Sequence, residues 1–107
     1  YWTAVKKTFP EAWGKSPEKS RLMHGTGLRA MGRLMDKVMP QIQDRGPKGI
    51  ARAEKELGLI EPMCQWTSGQ WDDMGGLKWN ELQNVPRHVQ MLSWVLIHAY
   101  LKAKEEE

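Results

Sequence analysis

Between Leu28 and Ile42 apolar side chains return every three or four residues: Leu28, Met31, Leu34, Met35, Val38, Met39 and Ile42. At about 100° per residue they gather on one side of an α-helix, which should be core. Arg29, Arg33 and Lys37 are spaced by four and project roughly opposite that stripe, where water or an anionic partner would meet them. The rest of the chain reads as packing for this helix.

Upstream, Ser16, Pro17 and Glu18 together read as a helix start. They supply a hydroxyl free to accept from orphan amides, a residue that needs no N–H, and a carboxylate near the positive end of the dipole. Between that start and the stripe lies His24-Gly25-Thr26-Gly27, followed by Ala30 and Gly32. A glycine inside a helix costs about 1 kcal/mol relative to alanine, so Gly25, Gly27 and Gly32 need a compensating reason. Gly25 and Gly32 could admit another backbone at close range. Alternatively, Gly25 and Gly27 could break the segment so that a second helix begins with amides suited to an anion, with His24, Gly25, Thr26 and Gly27 as the candidate site. Packing or a break is favoured, because neither a preceding strand nor a Lys-Ser/Thr pair of the phosphate-loop kind accompanies the glycines.

A chain of 107 residues is sized for one domain, and six Trp and seven Met supply a voluminous apolar set despite ten Gly and six Pro. Residues 1–55 hold 12 Lys/Arg against 5 Asp/Glu, and residues 56–107 hold 4 against 8, so the halves carry +7 and −4. Such asymmetry is a hint of a nucleic-acid partner. Lys19, Arg21, Arg29, Arg33 and Lys37 are the candidate contacts. With the single Cys64 no internal disulfide or multi-cysteine metal site can form, which points to a reducing compartment. No stretch approaches the roughly 18 apolar residues of a membrane span, and the N-terminus lacks a signal-peptide core, so the expectation is cytoplasmic with no membrane. The first residue is Tyr1, and the opening residues already read as the middle of an element. Residues 1–107 are therefore expected to be a single helical domain and a piece of a longer protein.

Along the chain, Tyr1–Phe9 reads as a short helix with Trp2, Val5 and Phe9 inward, and Trp13 as a packing plug. Gln43 to Pro47 is punctuation. Lys48–Leu59 forms an amphipathic helix with Ile50, Ala53 and Leu57 inward and Lys48, Arg52, Lys55 and Glu56 outward; Arg45, Lys48 and Arg52 would extend the basic surface if the two helices lie side by side. Met63–Asn84 is the least helical stretch. Gln65-Trp66-Thr67 and Gln70-Trp71 flank Ser68-Gly69 as a possible small hairpin, and Gly75-Gly76 makes a second turn. Trp66, Trp71 and Trp79 could stack bases, but a loop of this length needs large side chains to hold it down, and Asp72 and Asp73 would repel a phosphate backbone. Asn84–Lys104 is the last helix, capped by Asn84 with Pro86 in its first turn. Its stripe of Val85, Val89, Leu92, Leu96, Ala99 and Ala103 is widened by Met91, Val95, Tyr100 and Trp94. A face this broad implies burial from more than one side, by another domain or a second copy.

Chemistry-bearing residues are few. His24, His88 and His98 lack metal-binding partners at i+3 or i+4, so no metal or other cofactor is expected. Cys64 fits a small buried hydrophobe better than a nucleophile. The side chains of Asp72 and Asp73 would diverge. A non-catalytic role is preferred.

The blocks FPEAWGKSPEKSRLMHGTGLRAMGRLMD, CQWTSGQW, LKWNELQNVP and LSWVLIHAYL, in order from Phe9 to Leu101, resemble the C-terminal portion of DGQHR-domain proteins. That bacterial group includes DndB-like proteins linked to DNA sulfur modification. The Asp-Gly-Gln-His-Arg signature itself is not in this chain, so its chemistry does not carry over. The resemblance implies a role around DNA and an N-terminal domain of the parent chain as a partner. The expectation is an all-α or mainly α domain of about four helices, with a Trp-rich loop or short hairpin before the last. Its basic face would contact the DNA backbone. The alternatives are an interaction or homo-oligomerisation domain, and part of an anion-binding enzyme site completed by an N-terminal domain.

Overall fold

The computed structural model describes residues 1–44 and 46–106. Among them four α-helices carry the architecture: α1 (Trp2–Thr8), α2 (Gly25–Val38), α3 (Pro47–Gly58) and α4 (Pro86–Glu105). α2 lies along α4, and α1 lies along α3. Between α3 and α4, the two-residue strands β1 (Gln70–Trp71) and β2 (Leu77–Lys78) pair antiparallel, with Gln70 opposite Lys78 and Trp71 opposite Leu77. The radius of gyration, 13.2 Å, matches the value of about 13 Å for a compact chain of this size. A mainly helical domain with a Trp-bearing hairpin before its last helix is the architecture the hydrophobic periods predict.

One core joins all the elements. Where α2 lies along α4 it takes in Met31, Leu34 and Val38 of the first and Leu92, Val95, Leu96 and Tyr100 of the second, and where α1 lies along α3 it takes in Ala4, Val5, Ala53 and Leu57. Trp66 and Trp71 are buried edge to face with centroids 5.2 Å apart, and Phe9 closes on Trp66 at 6.3 Å. These two indoles are structural, as the loop-pinning reading expects. The Tyr1 hydroxyl donates to the Met31 carbonyl at 2.6 Å and ties the start of α1 to α2.

Several boundaries differ from the sequence expectation. The central helix starts at Gly25, not Ser16. Residues 17–19 form a turn, Arg21–Met23 a 3-10 turn, and His24 is extended as the N-cap. Ser-Pro-Glu serves a turn as readily as a helix start, and the Arg21 amide is taken by the Trp66 carbonyl at 2.9 Å, outside any helix. At the far end α2 stops at Val38 and tightens into a 3-10 turn, Met39–Gln41, where Pro40 has no N–H to continue the α-helix. Ile42 is nevertheless buried.

The hairpin turns at Gly75 and Gly76, whose φ values of 73° and 80° suit glycine, and not at Ser68-Gly69. Asn84 does not cap α4. Val85 takes the N-cap position while the Asn84 side chain lies against Gly25. Trp2 and Val85, expected inward, are exposed, and Ala4 takes the place of Trp2 in the core.

Glu56, expected outward, is 1% exposed. It accepts from Lys104 of α4 at 3.0 and 3.2 Å and from Arg52 one turn earlier at 3.0 and 3.2 Å. A buried carboxylate needs such partners, and these join α3 to the end of α4.

Candidate nucleic-acid interface

The outward side of α2 carries three of the expected contacts. Arg29, Arg33 and Lys37 are exposed, while Ala30, Met31 and Leu34 between them and Val38 just after are buried. At 1.5 Å rise per residue the three cations span about 12 Å of helix. None forms an ion pair among the described residues, where the recorded pairs are Arg52–Glu56 and Lys104–Glu56. Asp36, also exposed, sits between Arg33 and Lys37 and dilutes the positive charge. Lys19 is exposed in the turn before Ser20 and does not belong to the helix row.

Arg21 has a different task. Its Nε donates to the Leu82 carbonyl at 3.1 Å and one terminal nitrogen to the Asn80 carbonyl at 2.7 Å. The other donates to the Pro17 carbonyl, and the guanidinium lies 5.9 Å from the Trp79 ring centroid. The planar fork gathers carbonyls from the nearby turn at Pro17 and from the distant Asn80–Leu82 segment, which a lysine could not do. Arg21 is therefore engaged within the fold. The packing on Arg21 also accounts for Trp79, the one loop indole that is not fully buried.

The basic surface does not extend onto α3 as expected. α3 packs chiefly on α1, Arg52 is paired with Glu56, and Arg45 lies outside the described residues. Lys48 and Lys55 are exposed on that separate helix.

The glycine cluster resolves into close approach at one position. A Cβ on Gly27 would stand 2.1 Å from the Arg21 carbonyl oxygen and 2.8 Å from the Leu22 Cα, so only hydrogen fits there. On Gly25 it would meet the Asn84 side chain, whereas around Gly32 there is nothing within 4 Å. Gly25 and Gly32 thus do not form a paired groove. Thr26 is buried and donates its hydroxyl to the Gln83 carbonyl. His24 caps the helix through Nδ1, which accepts from the Thr26 amide at 3.4 Å. Desolvation, and then the charge of Arg21, holds the His24 imidazole below its ordinary pKa, which keeps it in the neutral form that can accept. Carbonyls of Arg21 and Gln83 crowd the start of α2, and carbonyl oxygens are poor company for an anion.

Cys64 borders a cleft of about 380 Å³ that is also lined by Lys7, Thr8, Glu11 and Glu61. Burial, and then the nearby Glu61 charge, raises the thiol pKa well above its ordinary value, so the nucleophilic thiolate is suppressed. Among the described residues no three His, Cys, Asp or Glu side chains are grouped to hold a metal, and no helix is long and apolar enough to cross a membrane.

Sequence reasoning missed the Arg21 clasp and the Glu56 bridge. The clasp has no local signal, because two of its acceptors lie 59 and 61 residues away. Glu56 did leave one: it continues the inward row Gly49, Ala53, Leu57 and Ile60 at helical spacing. No known protein family, curated protein or solved structure matches this chain.

Proposed function

We propose that this chain is a non-catalytic accessory domain of a DGQHR-type bacterial protein and contacts the DNA phosphate backbone through the outer side of α2. The observation that carries the reading is the row Arg29, Arg33 and Lys37: exposed, four residues apart, and without an ion pair among the described residues. Backbone contact follows from the chemistry of the row. Long cationic side chains on one helix face match a line of phosphates, and such contacts position a protein on a duplex without reading its sequence. Asp36 inside the row keeps the attraction moderate, so binding should be weak and strongly salt-dependent.

The test is binding to a short duplex across a salt series, beside the Arg29→Ala/Arg33→Ala/Lys37→Ala variant. Three phosphate contacts predict a loss of about 40-fold in affinity between roughly 50 and 200 mM salt. The variant should flatten that dependence while its circular dichroism stays unchanged. No binding of the parent chain at low salt, or an unaltered slope in the variant, overturns the reading.

A further inference from the structure

α4 buries Val89, Leu92, Val95, Leu96 and Tyr100 on the side that packs chiefly on α2, and carries a second seam on the side turned to solvent. That seam is Arg87, Met91, Trp94, His98, Leu101 and Glu105, at spacings of four, three, four, three and four. This is the 3.5-residue period by which two helices pack knobs into holes. Every member is exposed except Met91, which is half-buried. Trp94 and Leu101 are 58% and 45% exposed, large apolar side chains that a lone helix facing water has no reason to carry. Beside them, half-buried Leu59 and Met63 line a groove with Trp94, Val95 and His98.

The order of chemistry along the seam says what covers it. From the N-terminal end it runs cation, apolar, aromatic, imidazole, apolar, anion. Laid against a reversed copy of itself, with a two-fold axis level with Leu96, each residue meets its complement. Arg87 faces Glu105 of the second copy, Met91 faces its Leu101, and Trp94 faces its His98. A parallel copy would set Arg87 against Arg87 and Glu105 against Glu105, which disfavours that arrangement.

The ring pair fits the same arrangement. Trp94 and His98 already stack within the chain at 4.1 Å and 29°. His98 Nδ1 lies 2.9 Å from the Trp94 carbonyl, an acceptor, which suits the tautomer with the proton on Nδ1; in that tautomer Nε2 can accept from the indole N–H of an opposing Trp94.

We propose that the solvent side of α4 is a homodimer interface, in which two copies pack this helix antiparallel about Leu96. The paired seams run about 27 Å. One helix pair of that length is at the small end of specific interfaces, so the dimer forms with a dissociation constant on the order of tens of micromolar and exchanges readily. It leaves the outer side of α2 uncovered and does not depend on whether that face contacts DNA.

Sedimentation equilibrium of the 107-residue chain over roughly 1 to 500 μM tests it. The parent should pass from monomer to dimer. Trp94→Glu, an exposed substitution whose folding circular dichroism can confirm, should weaken association by about 30-fold or more. Arg87→Glu and Glu105→Arg should each weaken it about fivefold, and the double charge exchange should restore it to within about twofold of the parent. A chain that stays monomeric throughout overturns the proposal, as does a dimer indifferent to Trp94→Glu. A dimer sensitive to Trp94→Glu but not rescued by the charge exchange overturns the antiparallel pairing.

Discussion

The two long helices lie against each other yet solve opposite problems. α2 meets its neighbours with small residues, Gly25, Thr26, Gly27 and Ala30, so that the backbone of the preceding turn closes on Gly27 and the Asn84 side chain on Gly25. α4 meets them with bulk, Leu92, Leu96 and Tyr100. The contrast persists outward, where α2 shows cations and α4 shows tryptophan, leucine and histidine. A helix whose outer side is charged is at home in water, whereas the outer side of α4 leaves Trp94 and Leu101 exposed to it. The inner difference makes the fold, and the outer difference sets what each helix shows to solvent.

Substitutions on α2 sharpen the inner half of that contrast. Gly27→Ala should have the largest effect, because the added methyl meets the Arg21 carbonyl oxygen and Leu22 Cα, backbone that cannot step aside cheaply. A loss of about 3 kcal/mol or more is expected in urea unfolding, with the helix start displaced. An alanine at Leu92 would instead leave a hole, which is the other failure mode of the same interface. Arg21→Ala should come next, at about 2 kcal/mol, since the carbonyls of Pro17, Asn80 and Leu82 lose a charged donor but can partly turn to water. Arg21→Lys should recover only a minor part, because one ammonium cannot span three acceptors. Gly32→Ala should do the reverse. With nothing within 4 Å and ordinary helical backbone, it should raise stability by about 0.5–1 kcal/mol, a small upward shift in the unfolding midpoint. If Gly27→Ala and Gly32→Ala prove equivalent, the division of α2 into a contacted and an open side fails.

Seen against these residues, the sequence was most legible where a period runs unbroken. Met31, Leu34 and Val38 in α2, and Val89, Leu92 and Leu96 in α4, are core because helical spacing leaves them no other place. It was least legible where the deciding partner is far along the chain. Ser16-Pro17-Glu18 has the chemistry of a helix start, but Trp66 takes the Arg21 amide and Leu82 and Asn80 take its side chain. No local pattern encodes that. The candidate site divides the same way: Arg29, Arg33 and Lys37 stand where spacing puts them, whereas Arg21, equally cationic in composition, is drawn into the fold. The hairpin turned on Gly75-Gly76 because both residues take positive φ and release the chain for β2, while Gly69 spends its own positive φ within the approach to β1.

The Arg21 clasp also has a temporal consequence. Its bonds to Asn80 and Leu82 close loops of 59 and 61 residues, a separation like that of the α2–α4 packing beside it. Chain entropy delays such closures, and a side chain can gather these carbonyls only once α2 and α4 have packed, so the clasp is expected to form after that packing. A contact absent from the transition state governs escape from the native state and not arrival in it. Arg21 should therefore act as a latch on the folded chain's lifetime, its removal appearing as faster unfolding with the folding rate nearly unchanged.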